Sequence, residues 1–319
     1  MPSMLKSVGV AVAGLAAMSS ALPAQPKFTR SQMKIHEFMK RQSAAETAAG
    51  LTDIEILQLA LTIEWLETSF YQQGFQKFSN QDFLNLGLSN EQVTDFINVG
   101  QDEQAHVTLL LNTISQAGTQ PVQPCTYQFN FTDAGGMVAT AGMLENIGIS
   151  AYLGAAPLLS NTNTLGTAAS ILSVEGRHQT LLRILGNIAA TPSPFDTPLS
   201  VRQVVSVTNP YIQSCPTGSS LPFVVFPPLT LAQPATGPVQ AGSTLQLQSV
   251  AAAQGKFCAF TNAVQPGGTA FTPFTPAGGC TVPDGLAGIA YVNLAAQAPA
   301  SGVLDDGTIV AGPLPLQIS

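Results

Sequence analysis

The sequence predicts an α+β chain: a four-helix bundle followed by a small β-sandwich. Three observations carry this. Apolar residues recur at helical spacing from Leu51 to about Asn187. Within that stretch, two Glu-x-x-His pairs fall on two different helices. From Ser193 onward, proline, glycine and threonine rise and the helical period fades.

The N-terminus reads as a secretory leader over residues 1–21. Lys6 is the basic start, Val8 to Ala17 the apolar run, and Ser19 and Ala21 the small residues of a cleavage site. A basic stretch follows and ends in Lys40-Arg41, a pair that resembles the propeptide cleavage sites of fungal secreted proteins. Residues 22–41 are therefore expected to be a propeptide, with the mature chain starting near Gln42. The bundle is expected over residues 42–192.

The first helix is expected from a cap at Thr52 or Asp53 to about Phe75, with Ile56, Leu59, Ile63, Leu66 and Phe70 on one face. Ser89, with Gln92 three residues on, marks the start of the second, which ends at Gly118. Thr132 or Asp133 caps the third, rich in glycine and alanine, which runs to Leu159. A fourth spans about Thr164 to Asn187. Met137 to Leu159 is apolar enough to suggest a membrane span, but Glu145 near its middle and the lack of basic flanks favour a buried helix. The connection from Gly118 to Thr132 can reach roughly 45 Å at ~3.3 Å per residue. That is enough to cross the bundle from end to end.

Residues 193–220 read as a linker with a short helix near Val201 to Val207, and residues 221–319 as the β-sandwich. Strands are expected at Phe223–Phe226, Thr244–Ser249, Lys256–Asn262, Ala290–Leu294 and Thr308–Ala311. This part has no histidine and no glutamate, so chemistry is sought in the bundle.

Only 9% of the residues are charged and the net charge is -7. So few lysines and arginines argue against nucleic-acid binding. The four cysteines, Cys125, Cys215, Cys258 and Cys280, form no CxxC pair, and an even count in a secreted chain implies disulfides. Of three possible pairings, Cys125 with Cys215 and Cys258 with Cys280 keeps each bridge within one domain. Asn130-Phe131-Thr132 is a glycosylation sequon.

Beyond His36 the chain has two histidines, each with a glutamate three residues earlier: Glu103 with His106, and Glu175 with His178. Residues three apart share a helix face, so both side chains of a pair can reach one ion. With nine glutamates in 319 residues, both pairings arise by chance in about one sequence per thousand. The other two helices offer Glu64 and Glu145, each followed seven residues later by a tyrosine, Tyr71 and Tyr152. An unpaired carboxylate inside an apolar helix costs several kcal/mol unless protonated, paired or metal-bound. Four carboxylates cancel the charge of two divalent ions, and oxygen and imidazole ligands together suit iron or manganese. The expected ligands are thus Glu64, Glu103, His106, Glu145, Glu175 and His178. Glu67, three residues after Glu64, reads as an acid behind the site or on the surface. Asp102 reads as a support for the His106 ring.

These motifs resemble those of the ferritin-like di-iron carboxylate superfamily, which includes ferritins, bacterioferritins and rubrerythrins. The resemblance implies a ferritin-like four-helix bundle in which Tyr71 and Tyr152 hydrogen-bond across to ligand carboxylates. Ala60 to Glu67, Gln104 to Val107, Ser150 to Pro157 and Val174 to His178 look most like secreted fungal ferritin-like proteins of the stress-response or late-sexual-development type. That resemblance implies a secreted, extracellular or wall-associated protein with a β-rich tail. It is expected to be an oxidase or ferroxidase reacting with dioxygen or peroxide. The alternative is a structural, wall-associated or metal-sequestering protein, self-associating or binding the wall through its β-domain.

Overall fold

The computed structural model describes residues 50–233, 239–265 and 268–318. The expected leader and propeptide lie outside the described residues.

Four long helices form the bundle: α1 (Asp53–Lys77), α3 (Asn90–Gln116), α4 (Ala134–Ala155) and α5 (Thr162–Leu185); α2 (Asn80–Leu84) is a short turn between the first two. Each long helix begins where a side chain takes up an orphan backbone N–H. Thr52 and Glu55 form a capping box on α1, and Ser89 and Gln92 form one on α3. Asp133 accepts from the Gly136 N–H of α4, and Asn161 from Asn163 and Thr164 of α5. α1 packs on α3 and α4 on α5, and the two hairpins face each other. The fourth helix starts and ends two residues earlier than its periodicity suggests.

The connection between α3 and α4 is strapped along the length of α1. Gln58 donates to the Gln120 carbonyl at 2.8 Å and accepts from the Val122 N–H at 2.8 Å. Trp65 Nε1 reaches the Val122 carbonyl at 3.2 Å, and Lys77 Nζ the Phe131 carbonyl at 2.9 Å. These polar contacts satisfy a segment that makes no helix. Its strand β1 (Thr126–Tyr127) pairs with β2 (Ile212–Ser214), and Cys125 is bonded to Cys215. The linker between bundle and sheet is thereby fixed to the crossing connection, and its helix α6 (Val201–Thr208) packs against α4. Asn130 is exposed.

The C-terminal β-rich region centres on one antiparallel sheet, in the order β10 (Ile309–Ile318), β9 (Gly288–Ala295), β6 (Phe257–Thr261), β7 (Thr269–Pro273). Two short ladders accompany it: β3 (Thr230–Leu231) with β5 (Leu247–Gln248), and β4 (Thr244–Leu245) with β8 (Cys280–Thr281). Cys258 and Cys280 are bonded, joining β6 to the second ladder. The expected strand Phe223–Phe226 is not one: Val224 is 75% exposed, and Arg202 stacks over Phe226 with 3.8 Å from its guanidinium carbon to the ring centroid. β7 is an addition, and β10 extends well beyond the expected Thr308–Ala311.

β9 is buried on both faces, which accounts for a sequence that is apolar on both sides and interrupted only by Asn293. Ala290, Val292 and Leu294 join Cys258, Phe260, Leu245 and Leu247 in a core under the ladders. Ile289 and Tyr291 point the other way and enter the bundle core. The Tyr291 hydroxyl lies 2.8 Å from Asn146 Oδ1 and 3.0 Å from Ser150 Oγ of α4. The sheet therefore braces the helix beside Glu145.

Candidate metal centre

All six expected ligands converge at the centre of the bundle. Glu64 comes from α1, Glu103 and His106 from α3, Glu145 from α4, Glu175 and His178 from α5. The four glutamates are fully buried, and the two histidines nearly so. They divide into two groups, Glu64–Glu103–His106–Glu175 and Glu103–Glu145–Glu175–His178, in each of which one ligand atom per residue lies within 4.8 Å of the others. Either group could hold a metal ion. Glu103 and Glu175 belong to both.

The rings face inward through Nδ1. His106 Nδ1 lies 3.1 Å from Glu103 Oε2, 3.2 Å from Glu64 Oε2 and 3.2 Å from Glu175 Oε1. His178 Nδ1 lies 2.8 Å from Glu103 Oε1 and 3.2 Å from Glu145 Oε2. One N–H cannot serve three oxygens. Glu64 Oε2, Glu103 Oε1 and both oxygens of Glu175 are buried without a hydrogen bond. Orphaned carboxylate oxygens around an inward ring nitrogen are the donors that metal coordination uses, so the residues fit a metal ion.

Two tyrosines complete the symmetry. Tyr71 of α1 donates to Glu145 Oε1 of α4 at 2.5 Å, and Tyr152 of α4 donates to Glu64 Oε1 of α1 at 2.5 Å. Each tyrosine leaves its own helix's glutamate and holds the opposite one, so one carboxylate oxygen stays free to face the site.

Burial and mutual repulsion raise the pKa values of Glu145 and Glu175, and burial raises that of Glu64 to about 8. Burial also acts upward on Glu103, but the two histidine rings beside it outweigh that and hold the group near 2. Burial alone would lower both histidines. The surrounding carboxylates instead raise them, His178 to about 11. The metal-free cluster thus retains protons that bound ions would displace.

One reading of the sequence changes here, and of the two places open to Glu67 the structure gives the one behind the site. Asp102 supports His178, not His106: Asp102 Oδ2 lies 3.2 Å from His178 Nε2. Asp102 precedes Glu103 on α3, and at that point α3 faces α5. Its side chain is 56% exposed and links the centre to solvent. Glu67 is not a surface acid. It is 1% exposed and neither oxygen has a partner. The i+3 spacing from Glu64 placed it on this face, but its depth depends on α4, which presents Gly148 opposite it.

No helix among the described residues is long and apolar enough to cross a membrane. Two bonded cysteine pairs are compatible with an oxidising, extracellular setting.

Residues 52–187 match the family described as a ferritin-like domain. The chain is also 28% identical over 183 residues to "Protein rds1" of Schizosaccharomyces pombe (strain 972 / ATCC 24843). That match covers 57% of this chain and 45% of the relative, so the chain spans under half the length of the fungal protein it matches. The capped helices, the crossing connection and the buried Glu/His cluster lie within the matched residues: this chain carries a ferritin-like domain over residues 52–187, followed by a β-rich region.

Proposed function

We propose that the protein is a secreted dimetal carboxylate protein acting as an oxidase or ferroxidase on dioxygen or peroxide. The observation that carries the reading is the sharing of Glu103 and Glu175 between two groups of potential ligands. Glu64 and His106 would hold one iron or manganese ion, Glu145 and His178 the other, with Glu103 and Glu175 between them. Such ions, when bound, supply the electrons that dioxygen or peroxide accepts.

The chain's own contributions follow from its geometry. Burial excludes bulk water from the carboxylates. Tyr71 and Tyr152 orient Glu145 and Glu64. Asp102 holds the His178 ring from the solvent side, which fixes its inward Nδ1. Secretion is supported by the leader expected over residues 1–21 and by the two disulfides. The stress or developmental role rests on the resemblance of the helix segments to secreted fungal proteins.

The test is dioxygen uptake on adding ferrous iron to the metal-free protein. Uptake in proportion to protein is expected. A protein that takes up about two ions per chain yet is inert to both dioxygen and peroxide would sink the oxidase reading.

A further inference from the structure

Glu67 belongs to neither four-residue group, yet it faces them. The charged groups that act on it are Glu175, Glu103, Glu145 and Glu64, every one an acid. Among the described residues no lysine, arginine or histidine pairs with it, and neither carboxylate oxygen accepts a hydrogen bond. A buried carboxyl without partners costs a fold several kcal/mol, and each other carboxylate here faces a histidine or a tyrosine.

The opposite helix is shaped around it. Glu64 and Tyr71 on α1 correspond to Glu145 and Tyr152 on α4, and the same correspondence pairs Glu67 with Gly148. A Cβ added at Gly148 would stand 2.8 Å from Glu67 Oε1 and 3.4 Å from Glu175 Oε2. Glycine in mid-helix costs about 1 kcal/mol relative to alanine. Here it opens the space in which the Glu67 carboxylate lies beside that of Glu175. The pseudo-twofold arrangement is broken at this pair in favour of an additional oxygen donor.

We infer that Glu67 is a seventh metal ligand, supplied by α1 alone and without a counterpart on α4. This rests on the dimetal reading above. It makes the two ions inequivalent: one gains a carboxylate that the other lacks. It also raises the carboxylate charge to five, which favours trivalent over divalent ions.

The experiment is a manganese(II) titration of the metal-free full chain, followed by elemental analysis and by the electron paramagnetic resonance of the bound ions. Wild type, Glu67→Gln and Gly148→Ala are compared. Wild type should bind two ions in two steps. Glu67→Gln should weaken one step by at least about tenfold and leave the other. Gly148→Ala, which displaces Glu67 without removing it, should weaken the same step and alter the resonance. Urea unfolding of the metal-free variants checks that each is folded, and Glu67→Gln should be no less stable than wild type. If Glu67→Gln binds both ions with wild-type affinity and an unchanged resonance, Glu67 is not a ligand, although the dimetal reading stands. If wild type itself binds no metal, both readings fall together.

Discussion

The Tyr71 hydroxyl donates to Glu145 Oε1 at 2.5 Å across 74 residues of sequence, from the first long helix to the third. Tyr152 returns the same bond to Glu64. Replacing either tyrosine with phenylalanine leaves a buried carboxylate oxygen without its donor. The expected cost is about 1–3 kcal/mol in the metal-free protein, read by urea unfolding. Metal affinity should fall by roughly 10- to 100-fold because the ligand is no longer oriented. Unchanged affinity in both variants would remove the tyrosines from the site.

Glu145 should be indispensable. Glu145→Ala takes a carboxylate from one group and the acceptor from Tyr71. Stoichiometric metal binding should be lost, and Glu64→Ala should do the same from the other side. Elemental mass spectrometry of the purified variants reads the result, and wild-type metal content in Glu145→Ala would exclude that residue.

The metal-free bundle should lose stability as pH rises from about 5 to about 8. Glu64 has a folded pKa raised to about 8, and those of Glu67, Glu145 and Glu175 are raised as well. A raised carboxyl contributes stability that is full below its unfolded pKa near 4.5 and is lost as pH climbs to the folded value. His178, raised to about 11, acts in the same direction above its unfolded value near 6.5. Glu103, held near 2, opposes this only at acid pH. Melting temperature should therefore fall by several degrees over this range without metal. With metal the trend should reverse, because ligation requires the deprotonated carboxylates. A flat profile in both forms would contradict the cluster's electrostatics.

Gly154 should tolerate no side chain. A Cβ there would stand 1.8 Å from the Leu199 carbonyl oxygen, where the segment leading into α6 crosses α4 and the Leu199 N–H bonds the Ser150 carbonyl at 3.0 Å. Gly154→Ala should destabilise by about 1–3 kcal/mol or more, because backbone must move. Gly166→Ala, with open space around its Cβ position, is the control and should be neutral or stabilising.

Removing the Cys125–Cys215 bridge, which closes a loop of 90 residues, should cost about 2–5 kcal/mol. The crossing connection would keep its hydrogen bonds to α1 and its β1–β2 pairing but lose its covalent tie to Cys215. Denaturation of the Cys125→Ser/Cys215→Ser variant gives the value. A stability equal to wild type would mean that β1–β2 pairing and the α1 contacts suffice.

The sequence by itself determined the helices and the identity of the central acids. Helical period, capping residues and the Glu-x-x-His and Glu-x6-Tyr spacings are local, and local spacing decides which side chains share a face. The length of the crossing connection and the apolar run of β9 were legible for the same reason. What needed the tertiary structure was every relationship between helices. Asp102 reads locally as a partner of His106, four residues on, but the facing of α3 and α5 gives it to His178. Glu67 reads as either buried or exposed until Gly148 is seen to make room for it. Phe223 to Phe226 has the composition of a strand, but its main chain is spent elsewhere: Val224 gives its carbonyl to Arg202, and Phe226 gives its N–H to Ser206. Spacing along one helix is fixed by covalent geometry. Which face meets which partner is settled only when the hairpins pack, because packing sets which buried polar groups find one another.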